Sequence, residues 1–562
     1  MRSKITATVA ISAVAALLLT ACGGGGDDDA AGDGGAQGST PTAGAPLTIA
    51  KPDGAIATES NNPWLGDSSA NKLGYKNVLF EPLAFVNPVG KNETTPMLAE
   101  KIEWNDDYTQ VRLTPRAGVK WNDGEDFTAD DIVFTFTLIK NTPALDTGNL
   151  QLTDIAKDGD DVVLTFAESK FVKQAQVLHI DIVPEHIWKD VEDPTTFTNE
   201  GDPVGTGPYV LDSFTSQSVT MTARDDYWGG DLAVPTLYYV SYNDNTALTT
   251  ALANGDADWA QAFISNIDSA YLDKDPEHNV FWAANVMAPD VLFVNHQKKP
   301  FNDLAFRKAV NMVIDRPSHT EIARENAGPV LTSVTGLPLP VGEQYIAPEY
   351  KDAEFSIDVD GARAVLEDAG YTWNGDKLID PDGEPVAFTL QVPQGWNDYV
   401  TGISLIADQV TKTLGADAQV ATPDVDTWWA AKRTGDFDAI MHWTDAGTTP
   451  YDLYSDTMDG RWLLAGDEVD FNFGRYTNDE ATSLLNTYAT SSSDEERTDA
   501  LQKVQKIFVE DVPVIPVGTH PVLAEYNTRN YVGWPNEDDQ YATADPLQVS
   551  VPLILTKLKP AS

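Results

Sequence analysis

The chain contains a single cysteine, Cys22, in 562 residues. A disulfide framework and a multi-cysteine zinc site are both excluded, so burial of apolar surface has to hold the body together. Apolar material is ample, with 42% hydrophobic and 9% aromatic residues. At roughly 100–200 residues per domain, the length fits about three to five domains or one multi-lobed body. Acids outnumber bases 86 to 37, for a formal net charge of −49. That balance argues against nucleic acid as a partner, which needs clustered Lys and Arg, and against adsorption to an anionic membrane through basic patches. Self-repulsion on this scale predicts a dispersed monomer.

The position of the cysteine adds a second constraint. Arg2 and Lys4 precede an uncharged, mostly apolar run from Ile5 to Leu19, too short for the roughly 20 residues of a spanning helix. The run ends in Leu19-Thr20-Ala21-Cys22, which resembles the bacterial lipobox. The resemblance implies a signal peptide over 1–21, lipidation of Cys22, and a body at the outer face of the cytoplasmic membrane in the bacterial cell envelope. Residues 22–46 are mainly Gly, Asp, Ala, Ser, Thr and Pro, the composition of a flexible tether. No later apolar run is long enough to cross a membrane.

From Leu47 onward the composition is globular, with no second linker and no repeat. β-Rich runs occur at Val162–Phe166, Val219–Arg224, Leu237–Tyr242 and Val512–Val517. Ile403, Ile406, Ala407, Val410 and Leu414 fall on one helical face closed by Gly415, and Ala362, Val365, Leu366 and Ala369 repeat the pattern before Gly370. Ser493 with Glu496 predicts a capping box ahead of Leu501, Val504 and Phe508. The mixture predicts an α/β fold.

Catalytic signatures are missing. The chain has no G-x-S-x-G elbow, no H-E-x-x-H, no phosphate loop and no dinucleotide fingerprint. Its seven histidines are scattered, so no catalytic residue, metal site or cofactor is predicted. Asp130-Asp131 and the other acidic pairs lack the ligand order of a calcium loop.

Several segments together resemble the family 5 solute-binding proteins of ABC importers, the group of dipeptide-, oligopeptide- and nickel-binding proteins. They are Gly118-Val119-Lys120-Trp121-Asn122-Asp123-Gly124 with Phe127-Thr128-Ala129-Asp130-Asp131; Gly205-Thr206-Gly207-Pro208-Tyr209 with Asp226-Tyr227-Trp228-Gly229-Gly230; Ala251-Leu252, Asn254-Gly255 and Ala257-Asp258; and Asn295, Pro300-Phe301-Asn302-Asp303, Arg307 and Ile314-Asp315-Arg316. Most have plain physical readings as turns, caps and tight strand entries, so they identify a fold and not a ligand site. Asn302 is the expected cap of the helix that follows it.

The resemblance implies a two-lobed periplasmic-binding-protein-like fold, type II and cluster C-like, with an extra domain on the first lobe and a hinged ligand cleft. The expected limits are 47–80, 200–288 and 515–562 for the first lobe, 81–199 for the extra domain, and 289–514 for the second lobe. The implied partners are a ligand and the permease and ATPase subunits of an ABC importer.

The family's peptide binders commonly carry an aspartate three residues after a tryptophan, pairing with the peptide's α-ammonium. Here the aligned segment runs Trp443-Thr444-Asp445-Ala446 and on to Pro450, which puts Ala446 at the aspartate position and Asp445 one residue away. The chain also has 14 tryptophans, among them Trp396, Trp428, Trp429, Trp443 and Trp462 in the second-lobe sequence. Flat aromatic faces with nearby hydrogen-bonding groups suit sugar rings. Trp443, Asp445, Trp396, Trp428, Trp429 and Trp462 are therefore the expected ligand-binding residues. A short oligosaccharide is the favoured ligand and an oligopeptide the alternative. A nickel chelate ranks below both for want of a histidine cluster, and a surface-anchored carbohydrate-active enzyme is the reading from another class.

Overall fold

The computed structural model describes residues 44–562 except positions 53, 91, 92 and 467. Cys22 and nearly all of the tether lie outside the described residues. Three sheets organise the rest. The first lobe has seven strands in the order Asn279–Ala284, Val522–Asn527, Trp259–Ala260, Leu47–Lys51, Thr236–Ser241, Ser218–Ala223, Tyr209–Phe214. The second lobe has five, in the order Asp417–Ala421, Ala387–Gln391, Ala439–Trp443, Pro289–Val294, Ile515–Thr519. An antiparallel sheet of four, Ala99–Trp104, Gln110–Pro115, Asp161–Phe166 and Leu152–Asp158, forms the extra domain. Among the described residues, no helix is long and apolar enough to cross a membrane.

The second lobe is built around the strand Pro289–Val294, in which all six residues are buried. Its sequence, PDVLFV, is apolar on both faces except at Asp290. Leu292 and Val294 enter one core with the helix Asn397–Leu414, while Val291 and Phe293 enter another with Trp428, Tyr454 and Phe508. A central strand covered on both faces is read as such a continuous apolar run.

The helical expectations hold with local differences. The 403–414 stripe lies on the helix Asn397–Leu414, closed by Gly415 at φ 78°. Ser493 caps Asp494–Asp511 through its hydroxyl, but the Glu496 carboxylate accepts from Ser491 Oγ instead of closing the box. Asp303, not Asn302, caps the helix Leu304–Val313. Val512, expected at the start of a strand, is instead the left-handed residue ending the 494–511 helix, and the strand begins at Ile515. That strand is hydrogen-bonded to Pro289–Val294, so the domain limits we propose move residues 515–519 from the first lobe to the second.

The sequence segments that carried the family resemblance meet at seams of the fold. Asn122 donates to Pro203 O at 3.0 Å and accepts from Gly205 N at 3.1 Å, joining two of them. A side chain at Gly205 or Gly207 would run into the backbone carbonyls of Leu79 and Val78, so these glycines permit a close backbone approach. Arg307 donates to the carbonyls of Val512, Phe301 and Asp511, and Asn295 to those of Gly435 and Phe437.

Glu81 lies at the junction of extra domain and first lobe, with no solvent exposure. It accepts from Tyr227 Oη at 2.6 Å and Trp228 Nε1 at 2.7 Å. Burial pushes its carboxyl from 4.5 up to about 7, against the hydrogen bonds of Tyr227 and Trp228 and the charge of Arg224. A carboxyl raised on folding binds its proton more tightly in the folded state, so stability falls as the pH rises from 4.5 through 7. The contribution is at most roughly 3 kcal/mol. Denaturant unfolding at pH 5 and pH 8 is expected to show a smaller loss of stability for Glu81→Gln than for the unaltered protein; equal losses would show that Glu81 does not titrate in this range.

Candidate functional site

Two chain crossings join the lobes, 285–288 and 520–521, and they lie side by side, with His520 N donating to Ala288 O at 2.8 Å. A cleft of about 650 Å³ opens beside them. The helix Asn245–Asn254 presents Thr246, Thr249 and Thr250 to it, one helical face at i, i+3 and i+4. Thr249 and Thr250 each donate their hydroxyl proton to the carbonyl four residues back. Their oxygen lone pairs stay open to a donor from the cleft. Gln261, Phe263 and Ser265 continue this first-lobe wall.

The opposite wall comes from the second lobe: Trp396, Asp398 and Tyr399 from the Asn397–Leu414 helix and its entry, Trp443 from the end of a strand, and Arg324. Register fixes Trp443, since its strand runs antiparallel to Pro289–Val294 with Trp443 opposite Asp290. The indole is part of a ring ladder. Trp428 stacks on His442 at 5.4 Å and 17°, His442 on Trp443 at 4.1 Å and 21°, and Trp443 on His520 at 5.0 Å and 16°. Trp396 packs beside it at 5.9 Å.

His442 is held as one neutral tautomer. Burial, with the nearby charge of Lys432, lowers its pKa to about 3. Its Nδ1 lies 2.6 Å from Trp443 O, an acceptor only, so the proton is on Nδ1 and Nε2 accepts from Lys432 Nζ at 2.9 Å. Lys432 is itself buried, with its ammonium 3.4 Å from the Trp429 ring centroid. Burial lowers its pKa to about 7 against the opposing charge of Asp445.

Beneath the cleft floor lies Asp290, with no solvent exposure. Tyr399 Oη donates to its Oδ1, and His520 Nδ1 lies 2.9 Å from the same oxygen. Burial alone would raise this carboxyl, but His520, the Arg324 guanidinium and the Tyr399 hydroxyl outweigh it and hold the pKa at about 2. Arg324 forms a buried ion pair with Asp398. The fixed charges facing the cleft are thus satisfied by one another.

Of the six residues expected from sequence, Trp396 and Trp443 line the cleft. Trp428 is fully buried, one rung below. Trp429, 41% exposed, sits beside Lys432 on the Val425–Thr434 helix and does not line the cleft. Trp462 lines a separate hollow beside the extra domain. Asp445 is not part of the cleft lining. It is exposed to solvent, yet the protein around it is dense enough that desolvation raises its carboxyl against the charge of Lys432. Its backbone N–H donates to Asp456 at 2.8 Å. Sequence reasoning missed Tyr399, His520, Arg324, Phe263 and the threonine face. They come from five separated segments, and only the threonine spacing carried a local signal. Among the described residues, no group of acids, histidines or cysteines is arranged to hold a metal ion.

An Asp whose pKa is lowered on folding adds stability that is present above its ordinary value of 3.8 and lost as the pH falls through about 2. Tyr399→Phe removes one of the hydrogen bonds that hold it there. A cost of about 1.5–3 kcal/mol at pH 7 is expected, with acid unfolding starting at higher pH, both read by urea titration. No change in either would remove the Tyr399 bond from the hinge.

Against known proteins, residues 93–462 match the sequence pattern of the bacterial extracellular solute-binding proteins, family 5 Middle. Protein XP55 of Streptomyces lividans is 26% identical over 426 residues, 75% of each chain. The oligopeptide-binding protein AppA of Bacillus subtilis is 25% identical over 441 residues, 74% of this chain and 76% of that one. The crystal structure of a mannohexaose-bound periplasmic oligopeptide-binding protein of an oligopeptide ABC transporter, from Thermotoga maritima, aligns with TM-score 0.76 and 25% identity, covering 92% of this chain and 98% of the other.

Proposed function

Because the chain belongs to the family 5 bacterial extracellular solute-binding proteins, we propose that it is the lipid-anchored substrate-binding component of an ABC importer. It captures an oligomeric nutrient, with a short oligosaccharide favoured, and delivers it to a membrane permease driven by ATPase subunits. The observation that carries this reading is the composition of the two cleft walls. One is aromatic, with Trp443 and Trp396, and the other is a threonine face whose oxygens are open to donors. A sugar offers an apolar C–H face to the first and hydroxyl protons to the second. Two lobes joined by paired crossings can close on such a ligand and exclude water.

An oligopeptide is the alternative, favoured by the relatives with peptide-binding names. Against it stand the state of the cleft's charges and the residue at 446. Asp398 is engaged by Arg324 and Asp290 by Tyr399 and His520, and Ala446 stands where the peptide binders' aspartate is expected. A buried α-ammonium needs a carboxylate partner, and Asp445 lies outside the cleft lining.

Isothermal titration with panels of cello-, xylo- and manno-oligosaccharides and of peptides separates the two. For a sugar, Trp443→Ala is expected to lose roughly 1–3 kcal/mol of affinity, and Asp445→Asn less, since the amide keeps an acceptor oxygen. Unchanged affinity in folded Trp443→Ala would remove that segment from the site. Peptide binding with a large loss in Asp445→Asn would reverse the choice of ligand. Oligosaccharides shortened on incubation would replace the binding role with an enzymatic one.

Anchoring is tested separately. Cys22→Ser is expected to leave the membrane fraction and keep its ligand affinity, because a diacylglycerol supplies the two chains that stable anchoring requires. Retention in the membrane fraction would overturn the lipobox reading.

A further inference from the structure

A second pocket, of about 340 Å³, lies between the extra domain and the second lobe and shares no lining residue with the cleft. Its two sides are packed together. The Phe171 ring meets Tyr488 edge-on at 5.9 Å, and the Arg497 guanidinium sits 4.0 Å from the Phe171 centroid. The pocket is unusual in a chain with 86 acids and 37 bases, because it gathers Lys170, Lys173 and Arg461.

Lys170 is only 2% exposed. Its ammonium lies 5.5 Å from the Phe166 ring centroid, and among the described residues it has no hydrogen-bond acceptor and no ion-pair partner. Lys173 gives one hydrogen bond, to Gly148 O at 3.2 Å, leaving two of its three donors unused. Arg461 is committed to Asp459, Asn486 and Tyr451. An ammonium drawn out of bulk water with no acceptor in the chain is costly to fold, whereas the buried charges at Arg324 and Asp290 are matched by partners. An acceptor supplied from outside the chain resolves the mismatch.

We propose that this pocket binds a small organic monocarboxylate, its oxygens received by Lys170 and Lys173 and its body lying against Trp462. The surrounding charges favour one negative charge over two. Arg461 is paired with Asp459, and the lysines are already partly offset, Lys170 by Glu168 and Asp146 and Lys173 by Asp452, Asp146 and Glu168. Trp462 is fixed for such a contact by its indole N–H, which donates to Ser455 O at 3.1 Å. The lysines belong to the extra domain and Trp462 to the second lobe, so the carboxylate bridges the two. Burial and the charge of Lys173 lower the Lys170 ammonium to about 8, opposed by Glu168 and Asp146. Lys170 is charged at neutral pH and loses its charge as the pH rises through 8.

The test is isothermal titration of the whole protein with monocarboxylates from acetate to benzoate and p-hydroxybenzoate, each against its uncharged amide at fixed ionic strength. Saturable binding of a carboxylate but not its amide is expected. Lys170→Met should weaken it at least tenfold, and it should fall above pH 8. Lys170→Met should fold at least as well as the unaltered chain, since it removes a desolvated charge, and Lys173→Met provides a second variant at the same pocket. Trp443→Ala, which damages the cleft, should leave carboxylate binding intact, so failure here is distinguishable from failure of the cleft reading. Absence of binding by every carboxylate, or equal binding in folded Lys170→Met and Lys173→Met, would overturn the proposal.

Discussion

The carboxylate of Asp290 sits at the start of the most deeply buried strand of the second lobe, where both chain crossings pass. Its cross-strand neighbours are Trp443 on one side and Gly518 on the other. An ion there is stable only if other groups replace the water it loses. Tyr399 from the long helix and His520 from the crossing do so directly, and the Arg324 charge supports them. Each of these residues also lines the cleft. One electrostatic requirement therefore fixes the helix, the crossing and the floor of the cleft relative to one another.

The aromatic ladder carries the same order outward. His442 has one allowed tautomer because Lys432 takes Nε2 and the Trp443 carbonyl takes the proton on Nδ1. With that ring fixed, the Trp443 indole is clamped between His442 and His520. A rigid flat surface loses little entropy when a ligand stacks on it. The tryptophans that do not line the cleft still serve it: Trp428 supports the ladder from the core.

The protein's large negative charge is spread over its surface, whereas its interior handles charge site by site. Glu81 is driven toward its neutral form, Asp290 is kept ionised, and Lys432 is brought near neutrality. Burial acts in the same direction on all three by disfavouring charge. The neighbours decide the outcome, and only at Asp290 do they prevail over burial.

Much of the fold was legible because its signals are local. The stripe from Ile403 to Leu414, the Ser493 cap, the turn at Asn122-Asp123-Gly124 and the α/β class all follow from spacing and turn chemistry within a few residues of each other. The segments resembling family 5 proteins pointed to the architecture, and in the structure side chains from them, Asn122, Asn295 and Arg307, tie distant stretches of backbone together at the seams. The cleft was only half legible. Trp396 and Trp443 stood out by residue type, but nothing in the sequence separated them from Trp428, Trp429 and Trp462, because a tryptophan's chemistry is the same in a core, on a surface and in a binding site. Which of them meets the cleft depends on strand register, on the side of the long helix that faces the hinge, and on where the crossings run. Those are long-range pairings, Asp290 with Trp443 and with His520 230 residues away, and only the folded chain brings them together.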